Sequence, residues 1–157
     1  MPISRSSLEV DESYQRTPIE QAVQDFYCEF FERDSFWKHT RLEKIVSFEL
    51  ATLMHKGAPA TNSRGNNRKG KVTIKPSCNS IKRRLEQGNE NAGLLGAVIN
   101  ISRTVAHELT HQEDRTHSRG FYKRSEEVAY KLIPSIMRFF PKYCKSQNLE
   151  FESEPKI

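Results

Sequence analysis

Val105-Ala106-His107-Glu108-Leu109-Thr110-His111, followed by Gln112-Glu113-Asp114-Arg115-Thr116-His117, is the stretch on which the reading of this chain turns. His107 and His111 are four residues apart, a spacing that on an α-helix places them on one face, one turn apart. Two imidazoles so placed can turn toward a single ion. Glu108 then falls beside that ion without ligating it, where it can take a proton from a water. Val105, Ala106 and Leu109 supply the apolar side that anchors such a helix in a core. A catalytic zinc site takes three protein ligands and keeps one position open. His117 is at hand as the third, with Glu126 or Glu127 on the following helix as the substitute. Three of the five histidines fall within these eleven residues, while His39 and His55 lie far upstream and read as structural.

Working outward, Val128, Leu132, Ile133, Ile136, Met137 and Phe140 recur at helical spacing, so Met137 reads as core and Pro134 as a kink. Upstream, Leu94 to Ile101 fits either a buried strand or the first turns of a helix. Gly88 to Gly93 reads as a loop, and Asn79 to Gln87 as a short helical turn exposing Lys82, Arg83 and Arg84. Lys71 to Lys75 alternates polar and apolar as a short half-buried strand ended by Pro76. Gly57 to Gly70 is a breaker-rich, flexible loop. A second helix is expected from Ser35 to His55, with Leu42, Ile45, Val46, Leu50, Leu53 and Met54 on its buried stripe. The first begins at Thr17-Pro18-Ile19-Glu20, a capping box with proline at the first helical position. Its apolar face is Ile19, Val23, Phe26, Tyr27 and Phe30. Residues 1–16 read as a loose N-terminal arm, and 17–157 as one domain holding a basic loop and strand segment at 56–85. Periodicity alone gives an α+β chain, mostly helical, with Lys71 to Lys75 as its short strand.

Composition bounds the rest. The chain has 157 residues, 36% of them hydrophobic, and a mean hydropathy of -0.73, which suits one domain with a modest core. No run approaches the ~18 apolar residues of a membrane span, and the first residues lack the pattern of a secretory signal. Cys28, Cys78 and Cys144 are odd in number and widely spaced, which argues against a disulfide framework and for an intracellular location, cytoplasmic or nuclear. From Lys56 to Leu85 there are nine basic residues and no acid, leaving sixteen basic against twenty acidic residues elsewhere. That asymmetry points to a polyanion, DNA before a membrane surface. The candidate phosphate contacts are Arg64, Arg68, Lys69, Lys71, Lys75, Lys82, Arg83 and Arg84, and the plain alternative is a solvated loop.

The run His107-Glu108-Leu109-Thr110-His111, then His117, then Phe121-Tyr122, resembles the core of the SprT-like (Spartan-type) and WLM zinc metalloproteases. Those families share H-E-L-x-H, a third histidine after a short loop, and an aromatic pair opening the next helix. Leu94-Leu95-Gly96 with Asn100 echoes a WLM upstream segment. The same eleven residues are also similar to the metzincin pattern, with Asp114 in its glycine position. The resemblance implies a mostly helical, α+β zincin-like domain with a small β-sheet next to the helix of His107 and His111, holding one catalytic Zn2+ on His107, His111 and His117. It implies an intracellular protease that cuts proteins crosslinked to DNA or bound on it, with Glu108 moving the proton. Tyr122 and Tyr130 are candidates for oxyanion support. An extended substrate is expected to pair with Lys71 to Lys75 as an edge strand. The alternatives are a zincin peptidase with no nucleic-acid role and a zinc-binding module without catalysis.

Overall fold

Thr17 starts the first helix by the capping box its neighbours predict. The Thr17 hydroxyl accepts from the Glu20 backbone N–H at 3.3 Å, and the Glu20 carboxylate accepts from the Thr17 N–H at 2.9 Å. The computed structural model describes residues 10–11, 14–53, 60–63, 70–113 and 116–149. Its elements are β1 (Val10–Asp11), α1 (Pro18–Arg33), α2 (Phe36–Thr40), β2 (Ser47–Leu50), β3 (Thr52–Leu53), β4 (Ala60–Ser63), β5 (Lys71–Ile74), α3 (Asn79–Asn100), α4 (Ser102–Thr110) and α5 (Arg119–Ser146). Fold class is therefore α+β and mostly helical, with a small sheet beside α4.

The buried stripe of α1, Val23, Phe26, Tyr27 and Phe30, faces α5, where the Phe26 ring meets Phe139, Phe140 and Tyr143 at centroid distances of 5.1–5.9 Å. One continuous apolar core links α1, the sheet, and α3 to α5. The expected helix from Ser35 to His55 is cut short. Arg41 turns left-handed (φ 63°) after α2, and Leu42 and Ile45 enter the core from irregular backbone. Ser47 to Leu50 then runs as a strand whose alternate residues, Phe48 and Leu50, are buried. The apolar residues there satisfy a period of two as well as one of 3.6, and the left-handed turn decides between them. Met54 and His55 lie outside the described residues.

β5 pairs in parallel with β2 (Ser47↔Lys71) and antiparallel with β4 (Ala60↔Ile74), so it is the central strand of three. The expectation that Lys71 to Lys75 forms an open edge is overturned, because neighbours take its backbone groups on both sides. The β2 edge is closed by side chains around α1. Arg16 Nε donates to the Leu50 carbonyl at 2.6 Å, the Leu50 N–H donates to Gln24 Oε1 at 2.6 Å, and the Cys28 thiol donates to the Phe48 carbonyl at 3.4 Å. β4, at the other edge, lies against α4. β1 and β3 form a separate antiparallel pair.

Gly88 to Gly93, expected as a loop, belongs to α3. The helix reverses at Ala92-Gly93 (Gly93 φ 62°, ψ -142°), and its two arms fold back on one another. A methyl group at Gly88 or Gly96 would overlap the backbone of the other, so both glycines are there for close approach. Asn100 Nδ2 donates to the Arg84 carbonyl at 3.0 Å, fastening arm to arm. Leu94 to Ile101 resolves as helix up to Asn100, and the Val98 carbonyl accepts from the buried Tyr27 hydroxyl at 2.7 Å.

α5 continues through Pro134 and Pro141 without a break, and both prolines are exposed. Met137, expected in the core, is 50% exposed. The buried side of α5 is carried by Val128, Leu132, Ile136, Phe139 and Phe140 instead. No helix among the described residues is long and apolar enough to cross a membrane, and Cys28, Cys78 and Cys144 are all free thiols.

Candidate metal centre

α4 buries Val105, Ala106 and Leu109 against the core, and that rotation leaves His107 half-buried on the opposite side. His111 caps the C-terminal end of α4, one turn on. His107 Nε2 lies 3.2 Å from His111 Nε2 and 3.3 Å from His117 Nε2, and ligand atoms of all three rings fall within 4.8 Å of one another. Around an ion bound tetrahedrally by nitrogens at about 2.0–2.1 Å, neighbouring nitrogens are separated by about 3.3 Å. The two measured separations match that edge length. Three ring nitrogens brought this close form a group that could hold a metal ion. The donor set fits zinc.

Aromatic rings hold the imidazoles in place. Phe121 is buried beneath all three, stacked on His111 (4.5 Å, 21°) and edge-on to His107 (4.9 Å) and His117 (5.4 Å). Tyr122 lies nearly parallel to the His117 ring (6.1 Å, 27°) and meets Phe121 edge to face. The adjacent aromatic pair thus seats the His117 ring at the start of α5, where the Ser118 hydroxyl caps the helix by accepting from the Phe121 N–H at 3.1 Å.

The segment between His111 and His117 is pinned from both sides. The Gln112 side chain exchanges two hydrogen bonds with the Glu43 backbone, at 3.0 and 2.9 Å. The Glu113 carboxylate accepts from Arg124 Nε at 2.9 Å, and the same guanidinium donates to the Thr40 carbonyl at 2.7 Å. Arg124 therefore ties the ligand-bearing segment to α5 and to the end of α2. Glu126 pairs with Arg103 at 3.5 Å and Glu127 with Arg124 at 3.6 Å, so the substitute ligands are engaged elsewhere. Sequence reasoning missed the Glu113–Arg124 clamp, because opposite charges eleven residues apart across a loop carry no periodic signal.

Glu108 is buried, with Oε2 4.0 Å from His107 Nε2. Burial pushes its carboxyl up to about 7, in the range where a group can take and return a proton near neutrality. Burial, with the His111 and His117 charges behind it, pushes His107 down to about 4, which keeps its ring neutral and able to ligate.

The other candidate residues fall at varied distances from this centre. Tyr122 stands beside His107 and His117, whereas Tyr130 is 68% exposed, eight residues on along α5 and about 12 Å away by helical rise. Lys71 opens β5 and is exposed, Lys75 follows the last residue of that strand and is half-buried, and Lys82 and Arg83 are exposed on α3. Arg84 donates to the Thr104 hydroxyl at 2.9 Å, joining α3 to α4. Arg64, Arg68 and Lys69 lie outside the described residues. Comparison of the chain with protein-family models, with curated proteins and with solved structures finds no match.

Proposed function

We propose that this chain is a zinc-dependent metalloendopeptidase of the SprT-like or WLM kind, acting on proteins associated with or crosslinked to DNA. The observation that carries the reading is the convergence of three imidazole nitrogens beside one buried carboxylate. Zinc held there supplies an acidified water and a Lewis acid for the scissile carbonyl. Glu108 takes the proton from the attacking water and hands it to the leaving amine, and its buried position suits both steps. Tyr122, whose ring lies beside His107 and His117, is the candidate donor to the developing oxyanion.

The substrate backbone pairs with β4. That strand is the sheet edge against α4, whereas β5 is central and the β2 edge is capped by Arg16, Gln24 and Cys28. Main-chain pairing tolerates many sequences, which suits an enzyme that meets varied proteins on DNA. The exposed Lys71, Lys82 and Arg83, together with the acid-free run around them, support phosphate contacts that localise the enzyme without reading bases.

The test joins metal analysis of the purified protein to cleavage of a DNA-binding protein with and without DNA. One zinc per chain is expected, with turnover that DNA accelerates. Glu108→Gln should keep the zinc and lose at least about a hundredfold in kcat, the range of a removed general base. Zinc bound without turnover would leave a binding module, and turnover indifferent to DNA would leave a peptidase with no nucleic-acid role.

A further inference from the structure

The solvent face of α5 carries large apolar side chains that no part of this chain covers among the described residues. Tyr122, Tyr130 and Met137 are 52%, 68% and 50% exposed, and they are three of the five large hydrophobic side chains exposed among those residues. Steps of eight and seven residues set them along one stripe, about 22 Å from first to last. The stripe begins at the metal centre, where Tyr122 lies over His117.

Two hollows follow the same line. A pocket of about 200 Å3 opens beside His107, lined by Tyr122 and Ala129 and by the paired Arg103 and Glu126. A second, of about 450 Å3, lies between Tyr122 and Tyr130, flanked by Arg119, Lys123, Glu126 and Glu127. Tyr122 and Glu126 line both hollows, so the two lie side by side along α5, one against His107 and the other reaching Tyr130. Two cations and two anions balance around the second hollow, which leaves its aromatic walls to set the preference.

We infer that these two neighbouring hollows are side-chain subsites of the peptidase, in which the pocket beside His107 takes the residue next to the scissile bond and the Tyr122–Tyr130 shelf takes a large apolar or aromatic side chain of the same extended segment. The inference rests on the peptidase reading and deepens it. Backbone pairing at β4 leaves sequence open, and the shelf adds a preference for exposed apolar segments, such as those of damaged or partly unfolded proteins.

The experiment is digestion of a reduced, alkylated protein by the zinc-loaded chain, with every cut located by mass spectrometry. Kinetics then follow on a matched pair of peptides carrying Phe or Ser at the enriched position. Cuts should concentrate within a few residues of Phe, Tyr, Leu or Met. Tyr130→Ala should raise KM for the Phe peptide about tenfold with kcat unchanged, and should leave the Ser peptide unaffected. Tyr130→Phe, which keeps the ring, should restore the lower KM. Cleavage without apolar enrichment, or a KM that Tyr130→Ala does not move, overturns the subsite and leaves the peptidase standing. Absence of any cleavage by the zinc-loaded wild type overturns the peptidase reading, and the subsite with it.

Discussion

Glu108 and His107 are displaced in opposite senses by the same removal of water, and the pair has a consequence for acid stability. Glu108, raised from 4.5 to about 7, favours the folded state once it is protonated. Its contribution is full below pH 4.5 and is lost as pH rises through 7. His107, lowered from 6.5 to about 4, contributes stability above pH 6.5 that is lost as pH falls through 4. Between pH 6.5 and 4.5 the two trends oppose each other, so in metal-free protein this pair adds little net slope. Glu108→Gln removes the acid-favoured half. The metal-free variant should therefore lose stability between pH 6.5 and 4 more steeply than wild type, as read from urea melts in chelator at several pH values. Parallel curves for the two proteins would show that burial does not set these protonation states. The charge and spacing of these residues were legible in the chain, but the depth of Glu108 was not, since burial depends on what packs over α4.

At the scale of elements, the two misread segments share a physical cause. Periodicity reports which residues want burial, and it is silent on backbone reversals. Arg41, an ordinary residue, adopts the left-handed turn that ends α2, while Gly88 sits in regular helix as a contact point. Gly88→Ala should then cost about 2 kcal/mol by forcing the arms of α3 apart. That corresponds to a fall of about 4–8 °C in Tm for a chain of this size, and a melt within a degree of wild type would mean that the arms are not in contact. The segment between His111 and His117 shows the same limit. Its flanking histidines were legible from spacing, but the Arg124 clamp that holds it came only from the fold. Arg124→Ala should weaken zinc binding about 10- to 100-fold, as loss of a group that orients a ligand does, measured by competition with a chromogenic chelator. An unchanged affinity would assign the clamp to stability alone.

At the scale of the whole molecule, the α+β character and the site on α4 were legible from residue spacing. The order of strands in the sheet was not, because no local pattern says which neighbour a half-buried strand will find. That order matters for function. With the β2 edge capped by Arg16, Gln24 and Cys28, and β5 enclosed, a peptide backbone can extend this sheet beside α4 only at β4. Proline separates the strands because it deletes one N–H donor and is tolerated in a sheet only where that N–H is not paired. In an antiparallel pair successive N–H groups point alternately inward and outward, so of Thr61 and Asn62 one faces β5 and the other faces the open side. Proline at the outward-facing position should leave the thermal melt within about 1 °C of wild type and lower kcat/KM by tenfold or more. Proline at Thr73, in the middle of the central strand, should instead unfold the domain. If the outward-facing β4 variant melts as wild type and cleaves as wild type, substrate does not pair there, and the extended-backbone part of the mechanism is wrong.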